Sequence, residues 1–210
     1  MFEKYKIEKI FGLHTKQNMP VGTIAIAPGP FSAAVDRFLY TVKGMGCHGS
    51  APQTGLDPIP AAARLVGSLQ EIVSRRISPT ETAVISVTRF TSGTSWNIIP
   101  ETARLEGTVR TFNPKVREQI VELMQAQAEG LEREGYQVEF TWIPGCPATN
   151  NDAELAELVR KEAMEEGFHV TLQHPEMGGE EFSCYQELVP GAFFMWGLGE
   201  NIRRIILNSQ

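Results

Sequence analysis

Apolar residues recur along this chain with two clear periods. Residues 102–112, TARLEGTVRTF, alternate: Ala103, Leu105, Gly107 and Val109 face one way, and Arg104, Glu106, Thr108 and Arg110 the other. That period of two predicts a strand with one buried face. RFLYTVKG (37–44) sets Phe38, Tyr40 and Val42 on one face. TAVISVTRF (82–90) and QVEFTWI (137–143) read as two further strands. A helical period takes over between them. Asp57 followed by Pro58 is an N-cap with proline at the first helical position, and the helix is expected to run to about Arg75. Its apolar stripe is expected to be Ile59, Ala62, Ala63, Val66, Leu69 and Val73. Asn113-Pro114 opens a second helix with Val116, Ile120, Leu123, Met124 and Leu131 inward, closed at Gly135.

Residues 36–143 thus read β-α-β-β-α-β, the order of a ferredoxin-like α+β sandwich with four antiparallel strands and both helices on one face. The flanks, 1–35 and 144–210, read as strand-helix-strand pieces of a partial α/β domain into which the sandwich is inserted. KIFGLH (9–14) is an apolar run ending in histidine, and GTIAIAPG (22–29) ends at a Pro-Gly-Pro breaker. SGTSWNIIP (92–100) and PGCPATNND (144–152) read as connectors. A third helix is expected over about 152–166 with Leu155, Leu158, Val159 and Ala163 inward. FHVTLQ reads as a strand, MGGEEFSCY as a glycine turn feeding a short helix, and AFFMWGLG (192–199) as an apolar strand.

Charge narrows the function classes. The net charge of −6 leaves no excess of Lys and Arg to neutralise phosphates, so neither nucleic acid nor an anionic membrane is an expected partner. No run reaches the ~18 apolar residues of a membrane span. The first residues, MFEKYKIEKIFGLH, mix charged and apolar positions and lack the apolar core of a signal peptide. Cys47, Cys146 and Cys184 are odd in number and widely spaced, so neither a disulfide framework nor a CxxC metal knuckle is expected. A reducing cytoplasm is the expected location.

Candidate chemistry centres on two of the four histidines. His14 falls at a predicted strand end, where ligands bind in open α/β sheets; the competing reading is a strand-end ring bonded to backbone. His48 lies in GMGCHGSAPQTGLDP, where small residues let the backbone approach a ligand closely; the competing reading is an exposed loop histidine. His169 reads as a surface residue, and neither it nor His174 reads as functional. Arg110 on the polar strand face suits capture of a carboxylate or is an ordinary solvated arginine. Glu180 and Glu181 are either site carboxylates or an acidic first helical turn. Cys47 beside His48 is a weak candidate nucleophile, because adjacent side chains rarely bond productively.

The ordered set FGLH (11–14), PVGTIAIAPGPFSAAVDRF (20–38), GMGCHGSAPQTGLDPI (44–59), SGTSWNIIPETARLEGTVRTF (92–112) and MGGEEFSCY (177–185) closely resembles the zinc-type amidohydrolases: aminoacylases, hippurate hydrolases and related metallo-carboxypeptidases. The resemblance extends to about Gly199. It implies an α/β catalytic domain with two divalent metal ions (zinc, or manganese, cobalt or nickel) and a ferredoxin-like lid that mediates homodimerisation. The implied activity is hydrolysis of N-acyl amino acids by a metal-bound water. On these motifs His14 is implied as a metal ligand, and His48 as the lid histidine that stabilises the oxyanion, often in the partner's site. Asn97 and Arg110 are implied as substrate contacts. Glu180 lies in the active-site turn, with Glu181 where the family usually has aspartate. The family's Cys-x-His pair and Glu-Glu, expected upstream, and a last histidine, expected downstream of the 192–199 strand, do not occur in these positions. One imidazole does not hold two metals. The chain is therefore expected to be a truncated member, binding no metal tightly and inactive by itself. The competing reading is a non-catalytic dimerisation or binding module derived from such an enzyme.

Overall fold

The structure is a computed structural model that describes residues 2–199. In chain order its strands are β1 (Ile10–Lys16), β2 (Thr23–Ile26), β3 (Gly29–Ser32), β4 (Ala34–Lys43), β5 (Cys47–His48), β6 (Ala83–Ser92), β7 (Ile98–Ile99), β8 (Thr102–Thr111), β9 (Gln137–Ile143), β10 (Thr149–Asn151), β11 (His169–Leu172) and β12 (Gly191–Gly197). The helices are α1 (Phe2–Tyr5), α2 (Pro58–Glu71), α3 (Pro114–Arg133), α4 (Ala153–Glu165) and α5 (Phe182–Gln186). The chain divides into two compact units, one formed by residues 34–145 and the other by residues up to 33 and from 146 on. The flank segment expected over 200–210 lies outside the described residues.

The 34–145 unit is a four-stranded sheet in the order β6-β8-β4-β9, antiparallel throughout. Sequence alternation is what commits β4 and β8 to one face. Phe38, Tyr40, Val42, Ala103, Leu105 and Val109 are all fully buried. They share one core with Leu65 and Leu69 of α2 and Ile120 and Met124 of α3, so both helices cover the same face. Gly107 occupies the same stripe because nothing larger fits: a Cβ there would lie 2.1 Å from the Ser86 carbonyl oxygen and 2.4 Å from Phe38.

Both helix starts follow the cap logic. Asp57 Oδ1 accepts from Ile59 N at 2.9 Å, and Asn113 Oδ1 from Lys115 N at 3.0 Å. Gly135 closes α3 with φ +100°. The stripe of α2 is a correction. Ile59 and Ala63 are exposed, and Ala61, Leu65 and Ile72 take the core positions beside Ala62 and Leu69. The apolar band spans more than one face, so its edges leave the phase open by about one residue. Val66 and Val73 end half-buried at its margin.

The other unit holds a mixed sheet in the order β1-β12-β2-β11. β1 pairs parallel with β12 and β2 parallel with β11, while β12 and β2 run antiparallel. Asp152 caps α4, accepting from Leu155 N at 3.0 Å. Leu155, Ala156 and Ala163 are buried. Leu158, expected inward, is exposed, and Ala156 takes its place. The connector over 144–152 contains β10, which pairs with β3. Asn151 organises this corner: its Nδ2 donates to the carbonyls of Ala27 and Phe193, and its Oδ1 accepts from Phe193 N.

Candidate functional site

In the 34–145 unit the glycine-rich loop is not free coil. Its β5 pairs antiparallel with β7, setting Cys47 opposite Ile99 and His48 opposite Ile98. Gly49 N then donates to the Asn97 carbonyl at 2.8 Å. This ribbon brings together His48 and Asn97, which are distant in sequence. The glycines are what allow it: a Cβ on Gly55 would lie 2.5 Å from the Met45 carbonyl oxygen and 2.6 Å from Cys47 Sγ. Two-residue strands carry no readable periodicity, so both segments look like connectors in the sequence.

The His48 ring is oriented by Ser50. Ser50 N donates to Nδ1 at 3.2 Å, and Ser50 Oγ lies 2.7 Å from the same nitrogen. A nitrogen that accepts a backbone N–H carries no proton in the neutral ring. The network therefore assigns the His48 proton to Nε2 on an exposed side chain. Asn97 is half-buried, and its Oδ1 accepts from Ser95 Oγ at 2.7 Å.

Arg110 stands apart from this pair. It lies near the end of β8 opposite Val35 and Val84, whereas β7 leads into the start of that strand at Thr102. Eight residues of strand at about 3.3 Å each separate Thr102 from Arg110, about 26 Å. Its Nη1 is buried and has no hydrogen-bond partner.

In the other unit His14 lies opposite Met195, two residues before the end of β1, which continues to Lys16. The strand-end reading of His14 is corrected to that extent. Its Nδ1 is 3.2 Å from Glu180 Oε1. Lys16, two residues on, is paired with Glu176. The Lys16 ammonium, with help from Gln173, holds the Glu176 carboxyl below the usual carboxylate range. One edge of β1 is thus tied by two side chains to the segment 176–180. A carboxylate on Nδ1 would leave Nε2 as the ligating nitrogen, the usual outer-shell arrangement of a metal-bound histidine. Glu181, His169 and His174 are exposed.

A catalytic zinc takes three protein ligands and a structural one four. His14 and Glu180 supply one imidazole and one carboxylate, and among the described residues no group of three or more His, Cys, Asp or Glu converges on one point. These donors alone do not fit a two-metal centre. Among the described residues no helix is long and apolar enough to cross a membrane.

A feature the sequence did not show is a pair of neighbouring thiols. Cys146 lies near Cys184, and burial together with Cys184 and the Glu181 charge pushes its thiol up. Their wide spacing in the chain hides them, because only the packing of α5 brings them together.

Comparison with known proteins gives four points of similarity. Residues 35–135 match the peptidase dimerisation domain. The chain is 43% identical over 196 residues to an N-acetylcysteine deacetylase of Bacillus subtilis, covering 93% of this chain and 51% of that protein. Among solved structures, a protein assigned as an aminohydrolase from methicillin-resistant Staphylococcus aureus superposes with TM-score 0.84 at 31% identity, over 91% of this chain and 50% of that one. A dinuclear metal-binding peptidase of Bacillus subtilis gives TM-score 0.75 at 38% identity, over 91% of this chain and 48% of that one. The chain spans about half the length of the curated relatives it matches.

Proposed function

Starting from the chain's membership of the M20 family of peptidases and amidohydrolases, we propose that residues 1–210 are the lid and part of the catalytic layer of a cytoplasmic, metal-dependent amidohydrolase of N-acyl amino acids. The observation that carries this reading is the β5–β7 ribbon. It carries His48, with its Nδ1 held by Ser50, and Asn97 on two paired segments of a unit matching a dimerisation domain.

Amide hydrolysis builds negative charge on the carbonyl oxygen as the carbon becomes tetrahedral. A preorganised neutral donor aimed at that oxygen stabilises the transition state more than the substrate. His48 fills that role, and Asn97 supplies a second donor. Arg110, with a guanidinium nitrogen lacking a protein acceptor, binds the substrate carboxylate. The length of β8 sets His48 and Arg110 of one lid too far apart to serve the same small substrate. In a homodimer they serve different sites, so each site draws on both copies. His14, buttressed by Glu180, is this chain's contribution to metal binding. When bound, the metal would polarise the carbonyl and activate water, and the remaining ligands belong to segments beyond those described.

The second reading, a dimerisation module without catalysis, is favoured by the self-contained core of the 34–145 unit. The two are separated by assaying the product of the complete reading frame around residues 1–210. It is tested on N-acetyl amino acids with zinc or manganese, and its mass is followed by light scattering. Release of free amino acid that His48→Ala abolishes supports the first reading. A dimer that releases none supports the second.

A further inference from the structure

The face of the 34–145 sheet turned away from its helices carries a cavity of about 390 Å³ between β4, β8 and the end of β9. Its floor follows from register. Thr108 stands opposite Arg37, and Arg37 opposite Ile143, so these three residues form one row across the sheet. Two residues along, Val35 stands opposite Arg110 in the next row on the same face. Val35, Ile143 and Pro144 give the cavity apolar walls, and Ile143 keeps 41% of its surface exposed.

Charge divides the two rows. Arg37 Nη2 donates to Glu106 Oε2 at 2.8 Å, and Arg89 Nη1 to Oε1 of the same carboxylate at 3.5 Å. Glu106 stands opposite Leu39, on the far side of Arg37 from Val35. The pair therefore draws the Arg37 guanidinium away from Val35 and neutralises it. Arg110 stands in register between Val35 and Val84, and its buried Nη1 has no hydrogen-bond partner among the described residues. A buried donor without an acceptor is costly until one arrives. An open cationic donor beside apolar walls fits a ligand that carries an anionic group and an apolar group close together.

We propose that this cavity receives the side chain of the amino acid whose carboxylate Arg110 binds, and that it selects apolar side chains over acidic ones. The proposal rests on the reading of Arg110 as the carboxylate contact. In an α-amino acid the carboxylate and the side chain leave one carbon, so their two sites must adjoin. Arg110 and Val35 meet that condition, because residues opposed across antiparallel strands have Cβ atoms about 4.5–5.5 Å apart. An apolar side chain entering the cavity covers Val35 and Ile143 and excludes water from around Arg110, which strengthens the guanidinium–carboxylate pair. An acidic side chain is desolvated there without a free donor. Thr108 Oγ1 is committed to the Asp36 carbonyl at 2.9 Å, and Arg37 to Glu106.

The test is an NMR titration of the isotope-labelled 210-residue chain, read at its backbone amides. The ligands are N-acetyl-L-leucine, N-acetyl-L-leucinamide and N-acetyl-L-aspartate. N-acetyl-L-leucine should shift the amides of Val35, Thr108, Arg110 and Ile143, and should bind about tenfold or more tightly than either of the others. Ile143→Lys, at an exposed position on an edge strand, should bring the aspartate derivative level with the leucine one. If the leucine and aspartate derivatives bind the unsubstituted chain alike and both exceed the amide, Arg110 keeps its role and the pocket proposal is overturned. If the leucine derivative and its amide bind alike and both exceed the aspartate one, the pocket stands and the carboxylate role of Arg110 fails. No shift at these amides up to the solubility of the ligands overturns both.

Discussion

Arg117 Nε donates to Asp36 Oδ2 at 2.8 Å and its Nη2 to Oδ1, and the carboxylate receiving both has no exposed side-chain surface. Gly145 N donates to the same Oδ1 at 3.0 Å. A single buried charge therefore holds the first turns of α3 and both ends of the 34–145 unit. Removing one partner of a buried pair leaves the other uncompensated, which typically costs about 3–5 kcal/mol. Asp36→Ala is expected to destabilise this unit by about that amount. The measurement is the urea midpoint of the isolated 34–145 segment, or of the first transition of the whole chain. A shift worth less than about 1 kcal/mol would mean that solvent reaches the pair.

Tyr40 gives the pH dependence. Its ring is fully buried and its hydroxyl donates to the Met124 carbonyl at 2.7 Å. Burial pushes the phenol well above its ordinary value. A folded-state value raised above the unfolded one favours the protonated form in the fold. Its contribution is therefore fully present below about pH 10, where an unfolded tyrosine ionises, and is lost as pH rises beyond it. Tyr40→Phe is expected to cost about 1 kcal/mol at neutral pH and to flatten the alkaline decline. Denaturant midpoints for both proteins across that range check it. An unchanged alkaline decline in Tyr40→Phe would place its origin elsewhere.

The phase of α2 is open to direct measurement. Leu65→Ala or Leu69→Ala should each cost about 2–5 kcal/mol, because each empties a filled core. Ile59→Ala should cost well under 1 kcal/mol, as it removes a mostly solvated side chain. Comparable losses at Ile59 and Leu65 would restore the stripe read from the sequence.

That contrast shows where sequence was sufficient. Strands β4 and β8 were legible because a period of two has only two possible faces, and Phe38, Tyr40, Leu105 and Val109 chose one. The caps at Asp57 and Asn113 were legible because a local side chain satisfies a local donor. The face of α2 was less legible because apolar residues at 58, 59, 61–63, 65, 66, 69, 72 and 73 fill more than a stripe. The His48–Asn97 approach was not legible as geometry. It depends on two-residue strands and on glycines whose close contacts exist only after the ribbon forms. The motif resemblance named both residues without showing that they meet.

The last prediction concerns the roles proposed for the lid residues in the complete enzyme. His48→Ala should lower kcat by about 10²–10³ with little change in KM, the usual cost of one donor to a developing oxyanion. Ser50→Ala should cost less. The backbone N–H of residue 50 still reaches Nδ1 and keeps the proton on Nε2, while the second contact that steadies the ring is gone. Arg110→Ala should chiefly raise KM, because a guanidinium on the substrate carboxylate binds ground and transition states about equally. The distance along β8 sharpens this into a test of the dimer. Mix subunits carrying His48→Ala with subunits carrying Arg110→Ala, each nearly inactive under subsaturating substrate. If the two residues of one lid act in different sites, one acts in its own subunit's site and the other in the partner's; if they act in the same site, a mixed dimer carries one defect in each site. When one residue acts in its own subunit's site and the other in the partner's, both defects meet in one site, and the other site works at the normal rate. Recovery of about half the normal activity per mixed dimer supports the shared-site arrangement. Mixtures that remain as poor as their parents, while forming dimers by light scattering, would show that His48 and Arg110 act in one site after all.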